Sequence, residues 1–110
     1  MNDRQLVSAF LDGDEPAFEC LVQKYFSMVY SAAARQVNDR GLAEEIAQSV
    51  FILFARKARR LSPNVLLTGW LLRTTRFVAR DALKQMNRRQ KREHHAAEWN
   101  ALSQDTDPTW

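Results

Sequence analysis

Arg73, Arg76, Arg80, Lys84, Arg88 and Lys91 follow one another at spacings of three and four residues. On a helix turning by about 100° per residue, these six cations fall within about 60° of a single line. Trp70 and Phe77 fall on the same side, and Leu71, Thr75, Val78, Ala79, Ala82 and Met86 gather on the opposite one. Each pair of like charges at i and i+4 is unfavourable by about 0.2–0.5 kcal/mol. A ridge with only Asp81 to relieve it is therefore suited to an anionic partner. Aromatic faces among arginines fit a particular polyanion: unstacked bases gain about 1–3 kcal/mol each by stacking, while the cations neutralise phosphates.

Other chemistry is sparse. There is no glycine-rich phosphate loop, and Cys20, His94 and His95 lack the spacing of zinc ligands. Glu44 and Glu45 are neighbours, which on a helix point about 100° apart and cannot converge on one substrate atom. These features predict a binding module with no catalytic residue, metal or cofactor. Cys20 is the sole cysteine, so no intramolecular disulfide can form. As a lone thiol it is expected to fill a core position.

The net charge of +3 conceals a strong segregation. Residues 1–54 carry four basic and eight acidic side chains, residues 55–92 carry twelve basic side chains against Asp81, and residues 93–110 carry four acidic ones. Such a field draws a polyanion to one part of the molecule and leaves an acidic part for a different partner.

The elements that must position these groups are helical. The 110 residues amount to about one domain. Three glycines and three prolines are too few for the turns of a many-stranded fold. No stretch approaches the roughly 20 apolar residues of a membrane span, and the N-terminus opens no signal-peptide pattern, so a cytoplasmic protein is expected. Leu6, Val7, Phe10 and Leu11 predict a short first helix that starts after Asn2-Asp3 and ends near Asp12-Gly13. Asp14, as a side-chain cap, and Pro16 open a second helix of roughly six turns, whose stripe is Phe18, Val22, Tyr25, Val29, Ala32 and Gln36, widened by Leu21 and Ala33. Asn38-Asp39 caps a third helix running to about Arg60, with Leu42, Ile46, Val50, Leu53 and Lys57 along one face. Pro63 ends that pattern, and Asn64 caps a long fourth helix extending past Arg92. The fold expected is all-α: a compact bundle of about four helices with one long basic C-terminal helix, spanning residues 1–93. Residues 94–110 read as an acidic, linker-like tail.

Three blocks then become recognisable. Gly13-Asp14-Glu15-Pro16-Ala17-Phe18-Glu19 leads to Leu21-Val22 and Tyr25. Ala43-Glu44-Glu45-Ile46-Ala47-Gln48-Ser49-Val50-Phe51 follows. The third is Gly69-Trp70-Leu71 with Arg73, Asp81 and Arg88-Arg89. In this order and spacing they resemble region 2 of bacterial sigma-70-family RNA polymerase sigma factors, nearest the extracytoplasmic-function type, over about residues 3–93. The resemblance implies that the Ala-Glu-Glu-Ile-Ala-Gln helix docks on the clamp helices of the polymerase β′ subunit, with Glu44, Glu45, Gln48 and Phe51 as contacts. It further implies that the loop and the fourth helix recognise and melt the minus-ten promoter element. By the same resemblance, one base of the non-template strand would be flipped into a pocket to which Ser62, Asn64 and Val65 contribute, while Trp70, Arg73, Arg76, Phe77, Arg80, Lys84 and Arg88 would hold the strand. Unstacking a base costs only a few kcal/mol, which a fitted pocket offsets without ATP.

The chain departs from the family pattern in places. Glu45 stands where an aspartate is usual, Ser49 where an acidic residue follows the glutamine, and Phe77 where an asparagine is common, so stacking is expected at that position where the family uses a hydrogen bond. These 110 residues contain no second helix-turn-helix domain of the kind complete members of the family carry, so an excised domain or a stand-alone remnant is expected. The alternative function is a sigma-like protein-interaction module bound by an anti-sigma factor, without autonomous promoter activity. A helix-turn-helix reader of duplex DNA fits less well, because no short turn followed by an ordinary recognition helix occurs between Leu42 and Arg92.

Overall fold

Asn2 starts the first helix with a reciprocal cap: its side-chain oxygen accepts from the Gln5 N–H at 2.8 Å, and its own N–H donates to Gln5 Oε1 at 2.9 Å. This satisfies two of the donors a helix start leaves unpaired. In the computed structural model, which describes residues 1–105, that helix is α1, Asp3–Leu11. It ends as the sequence predicts, on Gly13 at φ +100°. There Asp14 N–H donates to Ala9 O at 3.0 Å and Gly13 N–H to Phe10 O at 2.9 Å, the paired bonds of a Schellman ending.

Helix α2, Glu15–Val37, follows at once, although Asp14 makes no side-chain cap bond; its carbonyl opens the helix instead, accepting from Ala17 N–H at 3.2 Å. The next two polar residues divide their work. Asn38 ends α2 in the left-handed region, φ 54°, and the Asp39 carboxylate accepts from Leu42 N–H at 3.0 Å to open α3, Arg40–Lys57. A single 3-10 turn, Ala58–Arg60, extends α3 to the expected limit. The connection differs from expectation. Val65 N–H donates to Ser62 O at 3.0 Å across Pro63-Asn64, and Ser62 Oγ accepts from Asn64 N–H at 3.2 Å. Asn64 is thus spent in a proline-initiated turn. The last helix, α4, begins later, at Leu67, and runs to Asp105.

The chain divides into two compact units, the first ending at Arg80 and the second beginning at Asp81. All four helices contribute to the first, and no strand occurs among the described residues. Its core is built on four-residue steps: Ala17, Leu21, Tyr25, Val29 and Ala33 from α2, and Leu67, Leu71, Thr75 and Ala79 from α4, all buried. The α2 stripe is therefore centred one turn-edge away from the expected one, with Gln36 exposed and Phe18 and Val22 half-buried. Helix α3 presents Ala43, Ile46, Ala47, Val50, Phe51 and Phe54, leaving Lys57 exposed. Buried Thr75 satisfies its hydroxyl on Leu71 O at 2.6 Å.

One ring from each helix meets at Phe54. Phe10 of α1 and Phe18 of α2 lie 6.4 Å from it, 4.9 Å from one another, and Trp70 of α4 meets it edge-on at 5.8 Å. Cys20 is exposed, contrary to expectation. It shares the outer face of α2 with Gln23, Lys24 and Ser27 rather than the Leu21–Tyr25 stripe.

A polar clasp joins α1 to α2: Lys24 Nζ lies 2.7 Å from Asp3 Oδ1, and the Tyr25 hydroxyl donates to Asp3 Oδ2. Burial pushes the Asp3 carboxyl up, but the bonds from Lys24 and Tyr25 outweigh it and hold the group below its ordinary 3.8. A depressed carboxyl stabilises the fold above its unfolded value and loses that contribution as pH falls through the folded one. The stability gap between the wild type and Asp3→Asn is therefore expected to be widest near neutrality and to close below pH 3.8, read by urea denaturation at each pH. A gap that stays constant would assign the effect to packing.

In the second unit α4 continues without a break through residues 94–105, so the expected tail is helical over that length. No described side chain of this unit is buried, and Met86, expected on the apolar seam, is exposed. His94 Nε2 bonds to Glu98 Oε1 at 2.8 Å. The remainder of the expected tail, residues 106–110, lies outside the described residues.

Candidate nucleic-acid interface

The four-residue repeat that buries Leu71, Thr75 and Ala79 leaves the opposite face of α4 to Arg73, Arg76, Phe77 and Arg80. All four are exposed. Phe77 keeps 71% of its surface accessible and has no ring partner among the described residues, an unusual exposure for a large apolar group. Among the described residues none of these arginines is in an ion pair. Asp81, the one acid in reach along the sequence, accepts from Gln85 Nε2 at 3.0 Å. In the second unit Lys84, Arg88 and Lys91 are likewise exposed. Trp70 differs: half-buried, with its ring edge on Phe54, it braces α4 against α3 and offers only part of its indole to a ligand.

A cleft of about 830 Å³ opens in the first unit between α1 and the segment joining α3 to α4. Its size lies in the range of small-molecule sites. Val7, Leu11, Phe54, Leu61 and Leu67 supply apolar walls, and Asn2, Asp3, Arg4, Lys24 and Ser62 polar ones. Of the three residues expected in a base pocket, Ser62 and Val65 line it and Asn64 does not. The sequence carried no sign that α1 would contribute. Leu66, also lining, is 77% exposed, and the only hint of it is the run Val65-Leu66-Leu67, which cannot all face inward.

On α3, Glu44, Glu45 and Gln48 are exposed together. Phe51 does not join them: it is 5% exposed and its ring stacks 6.3 Å from Phe26, so it forms part of the α2–α3 interface. The apolar group on this surface is Ile52, 52% exposed, one turn beyond Gln48. Its hydrophobic type hid it among the core positions of the sequence.

No group of three or more His, Cys, Asp or Glu side chains suited to a metal ion occurs among the described residues. No described helix is long and apolar enough to cross a membrane.

The family model for sigma-70 region 2 matches residues 21–90, and the chain belongs to that family, one of transcription initiation factors rather than enzymes. It is 32% identical over 103 residues to RNA polymerase sigma factor CarQ of Myxococcus xanthus, covering 91% of this chain and 59% of that protein. To the RNA polymerase sigma-H factor of Pseudomonas aeruginosa it is 32% identical over 87 residues, covering 79% of this chain and 45% of that one. The chain thus spans about half to three fifths of the length of these curated relatives. An engineered region 2 of sigmaE, solved by NMR in complex with GTAAAA, superposes with a TM-score of 0.76 at 30% identity, covering 81% of this chain and 93% of that one.

Proposed function

We propose that this chain is an extracytoplasmic-function-type sigma factor domain, acting in the cytoplasm, that docks on the β′ clamp helices of RNA polymerase and recognises and melts the minus-ten promoter element. Residues 1–93 carry the function. The observation that supports it most is the exposed α4 face, on which Arg73, Arg76 and Arg80 surround an uncovered Phe77 with no acid paired to them among the described residues. Cations at helical spacing neutralise the phosphates of the non-template strand, and the ring supplies a stacking surface that duplex DNA does not use. Lys84 and Arg88 extend the run of cations along the same helix. The cleft beside Ser62 and Val65 takes the flipped base, its apolar walls meeting the ring faces and its polar groups the base edge. The relative solved with GTAAAA makes that oligonucleotide the natural first probe.

Docking on the polymerase falls to α3. Glu44, Glu45 and Gln48 present an acidic, hydrogen-bonding surface with Ile52 as its apolar anchor, while Phe51 acts from beneath by fixing α3 on α2. Glu45→Lys combined with Gln48→Ala is expected to weaken association with the clamp helices by about tenfold or more, since a reversed charge at a complementary interface adds repulsion to the lost contact. Both side chains are exposed, so the far-UV circular dichroism should not change. Undiminished pull-down of polymerase core by the double variant would remove this surface from the docking site.

A further inference from the structure

Arg56, Lys57, Arg59 and Arg60 place four cations within five residues at the end of α3 and its 3-10 turn, outside both the α4 face and the α3 docking surface. No acidic residue occurs between Glu45 and Asp81, and among the described residues none of the four is in an ion pair. Arg59 plays a structural part, since its Nη2 donates at 3.2 Å to Leu11 O, at the C-terminal end of α1, a helix with no basic residue in its own last turn. Arg56 and Lys57 lie in the last turn of α3, where the helix dipole favours cations. Arg60 is past that helix and has neither role. The turn is thus pinned to α1 by one arginine and presents the other three cations, all exposed, to solvent.

The surroundings indicate what they hold. Ala58 and Leu61, on either side of Arg59-Arg60 in the chain, both line the cleft with Ser62 and Val65. A nucleotide seated there brings its flanking phosphates to the same turn. No aromatic side chain lies between Phe54 and Trp70, and Phe54 is buried. The patch therefore offers charge without a stacking surface, which suits backbone phosphates and reads no sequence. We propose that Arg56, Lys57 and Arg60 form a second phosphate-binding patch, separate from the α4 face, that grips the DNA backbone next to the nucleotide held in the cleft. The inference rests on the single-strand reading given above.

The test uses the full chain at low salt and two fluorescent probes: GTAAAA, and the same oligonucleotide extended at either end by abasic nucleotides, which add phosphates but no bases. Extension at one end is expected to tighten binding by about tenfold or more and to steepen the log–log salt slope by about 2, the value for three single-strand phosphate contacts. Arg56→Gln/Lys57→Gln/Arg60→Gln should abolish that gain. Arg60→Gln alone should remove part of it, and Arg56→Lys/Arg60→Lys should keep it. Arg73→Gln/Arg76→Gln/Arg80→Gln should weaken both probes while preserving their ratio. A wild-type chain that binds GTAAAA with no gain from extension at either end overturns the patch alone, as does a gain that survives in the triple variant. If the unextended probe fails to bind but the extended one binds through these three residues, the minus-ten reading falls and the patch stands.

Discussion

Phe54→Ala is expected to destabilise the protein by about 3–5 kcal/mol, a large share of the roughly 5–15 kcal/mol that holds a natural domain folded. The ring is 1% exposed and meets an aromatic side chain from each of the other three helices, Phe10, Phe18 and Trp70. Truncation removes its transfer free energy and opens a cavity that four independently anchored helices cannot close. It also removes the ring against which Trp70 packs. Urea denaturation followed by tryptophan fluorescence and by circular dichroism measures the loss. A shift below about 1 kcal/mol would mean that the four rings share a neighbourhood without holding the helices together.

The largest functional effect is expected from Arg73→Gln/Arg76→Gln/Arg80→Gln. Each phosphate contact on a single strand contributes about 0.7 to the log–log salt slope, so removing three flattens it by about 2 and lowers affinity roughly a hundredfold at about 0.1 M salt. The fold should survive, because these side chains lie opposite the buried Leu71–Thr75–Ala79 line and pair with no acid among the described residues. Phe77→Ala provides the contrasting signature. Loss of a stacked base costs about 1–3 kcal/mol and leaves the slope unchanged, since no counterion is released by a ring. Anisotropy of a labelled single strand across a salt series separates the two effects.

Local chemistry made most of the helices legible. Asn2, Gly13, Asn38 and Asp39 act within a few residues of themselves, and each ends or begins a helix where its type implies. The α4 face was legible for the same reason: its spacing is a property of one helix. Errors arose where a second element decides the outcome. Phe51 and Ile52 are adjacent and both apolar, and only the packing of α2 through Phe26 determines which is buried. Cys20 and Leu21 pose the same choice. Asn64 could cap a helix or complete a turn, and Pro63 with the Ser62 hydroxyl settles it as a turn. The cleft was least visible, because Val7 and Leu11 meet Leu61 and Leu67 only after the chain has folded back through two helices.

Binding of a single strand, compared with the duplex of the same sequence, by the chain assembled on RNA polymerase core tests the central claim most directly. Affinity for the single strand should exceed that for the duplex and fall steeply with salt, and the Arg73→Gln/Arg76→Gln/Arg80→Gln variant should bind more weakly with a log–log slope flatter by about 2. Equal affinity for the two forms, or a response to salt that is flat, would contradict the assignment of α4 as the surface that holds melted DNA.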